Sequence, residues 1–298
     1  MFDRILIAVD GSDEANRAAR RGLQLAAEFD AAVDVVHVVE RKATRLTRTA
    51  DQKTALRERG AEILATVEDM AAKRDQSITT ELREGSPSEQ ISDYARDRDA
   101  ELVVVGRQGM TGLGKRFLGG VTEQLLYWGD VPVLVVTDED ETPEAGTAFS
   151  TVLLPTDGSE NAESAIDPAI EIARQYGSTL HVLNVVDLQA AGGVFDAGGL
   201  EKEFVERLEE TGAEAVDEVV DEVVETAPDL AVESAVVRTS SFDGAAAGIR
   251  EYVAEHDVDL VVMGSHGRSN LKRQVLGSVA STLVRSVDVP VMIVRRGS

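Results

Sequence analysis

Two short patterns, each present twice, contain residue types that could hold a small anionic ligand. The first is Asp-Gly-Ser, at Asp10 and again at Asp157, directly after an apolar run. The second is a glycine-rich run that contains Gly264, Gly267 and Gly277 in its later instance. Glycines let backbone N–H groups approach an anion closely and tolerate positive φ. The glycine-rich run is therefore a candidate cradle for a chain of phosphates.

Two side chains and a helix start could strengthen this cradle. A helix that begins at Gly277 and Ser278 presents unpaired N–H donors and the positive end of its dipole. Ser278 adds a hydroxyl group, and Arg268 adds a fixed cation near the entrance. Together these groups predict that the run binds phosphate.

The aspartate of Asp-Gly-Ser has two interpretations. It could form an Asx turn or a helix N-cap and so satisfy backbone N–H groups between strand and helix. It could instead contact a ribose hydroxyl or an adenine amine, as acidic residues do at dinucleotide sites. The residue types leave both interpretations open.

Both patterns recur because the chain contains an internal repeat. The segment from Ile7 matches that from Leu154, 147 residues later, and the segment from Ile91 matches that from Ile249, 158 residues later. The second copy therefore carries about 11 extra residues, which we place around the glycine-rich stretch 190–199. We predict two domains, residues 1–137 and 150–298, joined by an acidic linker with Pro and Gly over residues 138–149.

Apolar strands alternate with amphipathic helices within each copy. In the first copy we predict strands over residues 4–9, 33–39, 78–83, 102–105 and 133–136, and helices over residues 13–29, 50–73, 88–98 and 120–128. Short Val- and Ile-rich strands are typical of a parallel sheet covered on both faces. The alternation predicts a doubly wound α/β domain with five parallel strands, in the flavodoxin-like class. In such sheets, ligands bind beyond the carboxyl ends of the strands, where both patterns fall.

The second copy resembles the ATP-binding branch of the universal stress protein family. The signature of that branch, G-x-x-G-x9-G-[S/T], is matched in full by Gly264, Gly267, Gly277 and Ser278. The surrounding VDLVVMGSHGRSNLKRQVLGSV and the opening VLLPTDGS also resemble the family. The resemblance covers both copies except the linker and the middle helix of each. It implies a flavodoxin-like or adenine nucleotide α-hydrolase-like fold that binds ATP or AMP, with Mg²⁺ carried by the nucleotide.

The resemblance implies a role for each matched position of the second copy. Asp157 would contact the adenosine part of the nucleotide with Pro155 beside it, and Val185 would line the adenine pocket. Met263 and Gly264 would flank the base and the ribose. The phosphates would be held by Gly267, Arg268, Gly277, Ser278 and Val279. Val185 and Met263 would be core residues in any sheet of this kind, and that interpretation stays open.

The first copy keeps the spacing but departs from the pattern. Its equivalent positions are Asp10, Val38, Gly106, Gly109, Gly119 and Gly120. Gly120 replaces Ser or Thr, and Met110 stands where the second copy has Arg268. A lost charge-assisted hydrogen bond costs about 1.5–3 kcal/mol and a lost neutral one about 1, which together weaken binding by roughly two orders of magnitude. We expect a weaker or degenerate first site, unless Lys115 and Arg116 in the same loop compensate.

The composition argues against several classes of partner. The chain of 298 residues has 54 acidic and 30 basic residues, a formal net charge of -24, and such a surface repels nucleic-acid phosphates. The acid excess and the scarcity of Lys resemble haloarchaeal proteins; high solubility is the simpler interpretation. The chain has no cysteine, no apolar run near the roughly 18 residues of a membrane helix and no signal-peptide pattern at its start. We expect a cytoplasmic protein without nucleic-acid or membrane partners.

Several other patterns resemble functional motifs but lack a residue or spacing that the function requires. Residues 109–116 nearly match a phosphate-binding P-loop, but Arg116 stands where Ser or Thr must ligate Mg²⁺. His266 has no adjacent acid to orient it, so a turn or ligand contact is favoured over a general base. The remaining histidines lack metal-ligand spacing, which predicts no metal site, and are expected to be structural: His37 and His181 in strands and His256 at a helix end.

Three functions remain as hypotheses. The first is a nucleotide-binding protein with a regulatory or stress-protective role. The second is slow ATP hydrolysis, since positioned donors can stabilise a transferring phosphate; no residue to activate water is apparent, so no catalytic residue is assigned. The third is an interaction scaffold. Members of the family pair through their last strands, so the strands at 133–136 and 291–294 could form such a pair within the chain, with a further homodimer possible.

Overall fold

The structure, a computed structural model, describes residues 2–40, 50–109, 117–137, 149–192, 202–267 and 276–295. The chain divides into two compact units, Met1–Thr142 (unit 1) and Pro143–Ser298 (unit 2). The predicted linker lies outside the described residues except for Phe149. Within the described ranges, no helix is both long and apolar enough to cross a membrane.

Unit 1 contains the predicted alternation of strands and helices. The elements are β1 (Arg4–Ala8), α1 (Asp13–Phe29), β2 (Ala32–Glu40), α2 (Ala50–Ala72), β3 (Ile78–Gly85), α3 (Pro87–Asp97), β4 (Leu102–Gly106), α4 (Gly120–Trp128) and β5 (Val133–Val136). Local signals set several ends: Ser12 caps the start of α1, Asp30 ends it in the left-handed region, and Pro87 begins α3. The predicted bounds are therefore close to those observed.

The sheet of unit 1 has the order β3-β2-β1-β4-β5, and its strand pairs are parallel. The fold class is as predicted, although the flavodoxin order is 2-1-3-4-5 and here β3 lies at the edge beyond β2. The sequence of β3, ITTELREG, explains the position, because most of its residues are at least partly exposed whereas β1 and β4 are almost fully buried. A polar strand suits a sheet edge. The order reverses between β1 and β4, and a crevice opens there.

Unit 2 repeats this architecture. Its elements are β6 (Thr151–Pro155), α5 (Glu160–Glu163), α6 (Ile166–Tyr176), β7 (Thr179–Asp187), α7 (Leu188–Gly192), α8 (Lys202–Thr226), β8 (Val232–Thr239), α9 (Ala245–Glu255), β9 (Leu260–Gly264), α10 (Ser278–Ser286) and β10 (Val291–Val294). The parallel order is β8-β7-β6-β9-β10. The counterpart of α1 is split into α5 and α6, and Pro168, which lacks an N–H, lies in the first turn of α6.

Helices cover both faces of each sheet. In unit 1, α1 and α2 pack on one face and α3 and α4 on the other. In unit 2, α6 and α8 cover one face and α9 and α10 the other. The helices lie close to the strands: a Cβ added to Gly22 of α1 would meet Ile7 Cδ1 at 2.7 Å. This arrangement leaves the carboxyl ends of the strands to the loops.

The two units differ in the polar group under helix α3 of unit 1 and its counterpart in unit 2, α9. In unit 1, the fully buried Asp34 of β2 accepts hydrogen bonds from Arg4 Nη1 at 2.8 Å and from Arg98 Nε at 3.0 Å. In unit 2, the equivalent residue is His181 of β7, whose Nδ1 lies 2.9 Å from Tyr252 Oη. The predicted structural role of His181 is thus observed. Ion pairs to Asp34 stabilise the contact between sheet and helix in unit 1. In unit 2 the His181 ring, which can be protonated, takes the place of Asp34.

The stability of unit 2 is expected to fall in mild acid because of His181. Burial lowers the pKa of His181 from its ordinary value of 6.5, and the Glu233 carboxylate, 3.7 Å from Nε2, opposes part of that shift while His256 adds to it. The unfolded chain then binds the proton at higher pH than the folded one, so stability is lost as pH falls through about 6.5. Calorimetry of wild type and His181→Gln between about pH 7.5 and about pH 5.5 tests this. Equal losses of melting temperature in both proteins would contradict it.

Candidate functional site

The loop after the first strand of each unit is built in the same way. Asp10 Oδ1 accepts a hydrogen bond from Ser12 N at 3.0 Å, and Asp157 Oδ1 accepts one from Ser159 N at 3.1 Å. Each serine in turn caps the helix that follows it. One oxygen of each aspartate therefore forms the Asx turn that the sequence allowed as its structural interpretation.

The other carboxylate oxygen of each aspartate faces the glycine-rich loop that follows β4 in unit 1 and β9 in unit 2. We call this loop the glycine loop. A Cβ added to Gly267 would lie 2.3 Å from Asp157 Oδ2, and one added to Gly109 would lie 2.3 Å from Asp10 Oδ2. No Cβ approaches an oxygen so closely, so a side chain at either position would displace the aspartate carboxylate. The structure thus brings together the two sequence patterns, one from each side of the crevice.

The last residue of the fourth strand is also a glycine for a steric reason. A Cβ on Gly264 would meet the Asn161 backbone oxygen at 2.2 Å, and one on Gly106 would meet the Glu14 backbone at 3.0 Å. The helix that follows the first strand therefore lies directly against the start of the glycine loop. This contact closes the back of the crevice.

The two ends of the glycine loop are hydrogen-bonded to each other just before the last helix of each unit begins. Gly277 N donates to Ser265 O at 2.8 Å, and in unit 1 Gly119 N donates to Arg107 O at 2.9 Å. These glycines are the N-caps of α10 and α4 and have no side chain with which to cap them. The N-cap residues therefore supply no acceptor to the first-turn amides of these helices, and such amides can bind an anion.

In unit 2 these elements enclose a cavity of about 280 Å³. It is lined by every described residue of the predicted second-copy set: Pro155, Asp157, Val185, Met263, Gly264, Gly267, Gly277, Ser278 and Val279. Arg268 lies outside the described residues. Val185 is half-buried and opens on the cavity, whereas Met263 is a buried core residue that also lines it.

The cavity has an apolar end and an end rich in backbone donors. Leu183, Val185 and Ile249 line the part beside β7 and α9, while Gly277 and Ser278 line the part at the start of α10. Asn184 Nδ2 donates to Thr156 O at 2.8 Å and so fixes the wall between β6 and β7. An apolar pocket with a few convergent polar groups is the usual form of a small-molecule site.

Unit 1 contains an equivalent cavity of about 360 Å³. All six predicted first-copy residues line it: Asp10, Val38, Gly106, Gly109, Gly119 and Gly120. The cavity extends further along the middle helix, where Leu56, Arg59 and Ile63 of α2 contribute to its wall. Met110, Lys115 and Arg116 lie outside the described residues.

Comparison with known proteins shows the family of the chain. A model of the universal stress protein family matches residues 1–137 and 148–295. The chain belongs to the universal stress protein family. The two matched segments correspond to the two copies of the sequence repeat, so this is a tandem member with a family domain in each unit.

A relative of similar length supports the family, and a solved structure of similar length shows the same fold. A universal stress protein of Mycolicibacterium smegmatis is 30% identical over 98% of this chain and 96% of its own length. A solved universal stress protein from Archaeoglobus fulgidus has a TM-score of 0.72 and 19% identity, covering 99% of this chain and 97% of that one.

Sequence reasoning missed several residues that line the universal stress protein cavities. Ala245 and Ile249 of α9 line the cavity of unit 2, and Pro87 and Ile91, at the equivalent positions of the repeat, line that of unit 1. The repeat could have indicated these residues, because the same positions of both copies form a wall of the cavity. The predicted motifs lay in loops and drew no attention to this helix.

Two histidines lie closer to the cavities than expected. His37, predicted as a core residue, is half-buried: its Nδ1 lies 2.8 Å from Val9 O, and it also lines the cavity of unit 1. The ring lies against α2, because a Cβ added to Gly60 of that helix would meet His37 Cδ2 at 2.9 Å. His266 lines the cavity of unit 2, with Nδ1 2.8 Å from Ser265 Oγ. The predicted turn or ligand role of His266 remains a prediction, while His256 caps α9 as expected.

Proposed function

We propose that unit 2 binds an adenine nucleotide, ATP or AMP, and that its occupancy regulates a stress-protective role of the protein. The observation that carries the proposal is the convergence of the first-strand aspartate and the glycine loop on one cavity. Asp157 Oδ2 lies 2.3 Å from the place that a Cβ of Gly267 would take, although 110 residues separate the two in the sequence. Folding has brought a carboxylate beside exposed backbone amides.

The two ends of the cavity match the two parts of a nucleotide. The apolar wall of Leu183, Val185 and Ile249 would cover the adenine ring, and Asp157 would accept a hydrogen bond from the ribose or the base. Adenine and ribose would thus sit above the carboxyl ends of β6 and β7. This is where ligands of doubly wound sheets bind.

The start of α10 would hold the phosphates. Its first-turn amides lack a side-chain cap, and an anion at a helix N-terminus gains both hydrogen bonds and the helix dipole. Ser278, the first residue of α10, also lines the cavity, and its hydroxyl would donate to the same phosphates. Mg²⁺ would enter with the phosphates of the nucleotide.

The proposal predicts that ATP stabilises unit 2 and that Ser278 contributes to its affinity. At 100 times the Kd, bound ATP adds about 2.7 kcal/mol to the free energy of unfolding. Ser278→Ala removes one hydrogen bond to an anionic phosphate. Because Ser278 is exposed, the lower end of the range for charged groups, about 1.5 kcal/mol, is expected, so ATP should bind roughly tenfold more weakly. Isothermal calorimetry measures both values.

The matched control is Ser281→Ala, in the same helix but outside the cavity wall. The Ser281→Ala variant should bind ATP with the same affinity as wild type. If wild type releases no heat and shows no thermal shift with ATP, ADP or AMP, the proposed function is wrong. If both serine variants weaken binding equally, the phosphate site is misplaced.

A further inference from the structure

Helix α9 contacts strand β7 at two levels in unit 2. Beside the cavity, a Cβ added to Gly248 would meet Val185 Cγ1 at 2.6 Å, so the helix backbone lies directly against this cavity residue. One helical turn further along, Tyr252 Oη lies 2.9 Å from His181 Nδ1. Gly248 and Tyr252 are four residues apart in the helix, and the two strand residues are also four apart. Residues with that spacing share one face of a helix or of a strand, so both contacts belong to one interface.

The same interface continues as the apolar wall of the cavity. Two apolar residues of α9 and two of β7 line this wall: Ala245, Ile249, Leu183 and Val185. Protein interiors are close-packed and transmit strain, so the position of α9 on β7 sets the width of the cavity at this wall. The contact between His181 and Tyr252 helps to fix that position, because both residues are buried in the interface.

Titratable groups surround the His181 ring. Glu233 of β8 lies on one side, with Oε2 3.7 Å from Nε2. His256, which follows α9, stacks on the Tyr252 ring with centroids 3.8 Å apart, and its own centroid lies 6.0 Å from that of His181. From β6, the residue in register with His181 is the apolar Leu153. The ring is buried and the Glu233 side chain is 66% exposed, so a proton on His181 is poorly compensated.

Unit 1 has a different contact at the same place. Asp34 is the equivalent of His181 and Tyr94 that of Tyr252, and Tyr94 Oη lies 3.4 Å from Asp34 Oδ1. Ion pairs to Asp34 stand there in place of a histidine ring. The helix of unit 1 also lacks a glycine at the position of Gly248. Unit 1 therefore supplies matched control positions for this part of unit 2.

We infer that His181 and Tyr252 are positioning residues for the nucleotide cavity of unit 2, and that protonation of His181 weakens nucleotide binding there. The inference rests on the function proposed for unit 2. Neither residue lines the cavity. Both act through α9, whose other end covers the place proposed for the adenine ring.

Nucleotide affinity in unit 2 falls as the pH is lowered, because the closed wall favours the neutral His181 ring. Burial lowers the pKa of His181, with Glu233 opposing that shift and His256 adding to it. A proton on the buried ring requires water beside it or a shift of α9, and either one opens the wall against which the nucleotide would lie. Affinity is therefore full well above the pKa of His181 in the folded protein and is lost as the pH falls through it.

Calorimetric titration of the full chain with ATP tests the inference at about pH 7.5 and at the lowest pH, about 5.5, at which circular dichroism shows wild type folded. Wild type should lose about fivefold more affinity over this interval than His181→Gln, which cannot take up a proton. The ionisation of ATP is the same in both titrations and cancels in the comparison. His256→Gln should lose affinity as wild type does, which separates His181 from its neighbour.

A second variant tests the positioning role without a change of pH. At about pH 7.5, Tyr252→Phe keeps the ring, removes one hydroxyl and should bind ATP about threefold more weakly, whereas Tyr94→Phe in unit 1 should bind it as wild type does. A Tyr252→Phe variant with a lower melting temperature but wild-type affinity would show a merely structural role and overturn the inference. Equal pH-dependent losses in wild type and His181→Gln would also overturn it. Failure of wild type to bind ATP at about pH 7.5 would instead overturn the proposed function, and the inference with it.

Discussion

Asp34→Ala should lower the free energy of unfolding of unit 1 by about 3 kcal/mol. Removing one partner of a buried ion pair costs about 3–5 kcal/mol, because the remaining charge stays in a poorly solvated place. Arg4 and Arg98 keep 31% and 38% of their side-chain surface exposed, so water can reach both guanidinium groups. The lower end of that range is therefore expected.

Urea unfolding followed through Trp128 measures the effect, because this single tryptophan lies in α4 of unit 1. Asp97→Ala is the matched control, since Asp97 pairs with Arg83 at 3.2 Å but is 63% exposed. That exposed pair is worth at most about 1 kcal/mol. Asp34→Asn should cost nearly as much as Asp34→Ala, because the charge is lost while the shape is kept. Similar costs for the Asp34 and Asp97 variants would show that the ion pair contributes little.

The helices and strands of this fold could be predicted because residues close in the sequence determine where each one begins and ends. Val- and Ile-rich runs mark the strands, and Ser12, Asp30 and Pro87 mark helix ends whose chemistry is local. The order of the strands is different, because it depends on which surfaces are buried together. The polar sequence of β3 was a clue to its edge position, but a single strand does not show which neighbour it pairs with.

The loop residues of the candidate site could be predicted from the sequence, but the helix residues that form its walls could not. The spacing of Gly264, Gly267 and Gly277 follows from backbone geometry, so a pattern in the sequence carries it. The cavity wall from α9 depends on how that helix packs on the sheet. The contact between Glu14 and Gln108 joins residues 94 apart, and only the folded chain shows it.

Gly267→Ala should weaken nucleotide binding by about 10- to 150-fold, through Asp157 rather than through the loop itself. The new Cβ would lie 2.3 Å from Asp157 Oδ2 and 3.3 Å from its Cγ, so the carboxylate must move. A carboxylate is the mobile end of a side chain, and unit 2 should therefore stay folded. A hydrogen bond to a charged group contributes about 1.5–3 kcal/mol, which gives the stated loss of affinity.

A double-mutant cycle separates this effect from a general disturbance of the glycine loop. If the added methyl group acts by displacing Asp157, then Asp157→Ala and the double variant Gly267→Ala/Asp157→Ala should bind ATP with equal affinity. Additive losses would mean that the two residues act independently, as residues without shared contacts do. The same cycle with Gly109 and Asp10, titrated with ATP, applies the test to the weaker site expected in unit 1. Because the Asp10 carboxylate faces Gly109 at the same 2.3 Å, non-additivity in both units would tie nucleoside recognition to one contact that the repeat has kept twice.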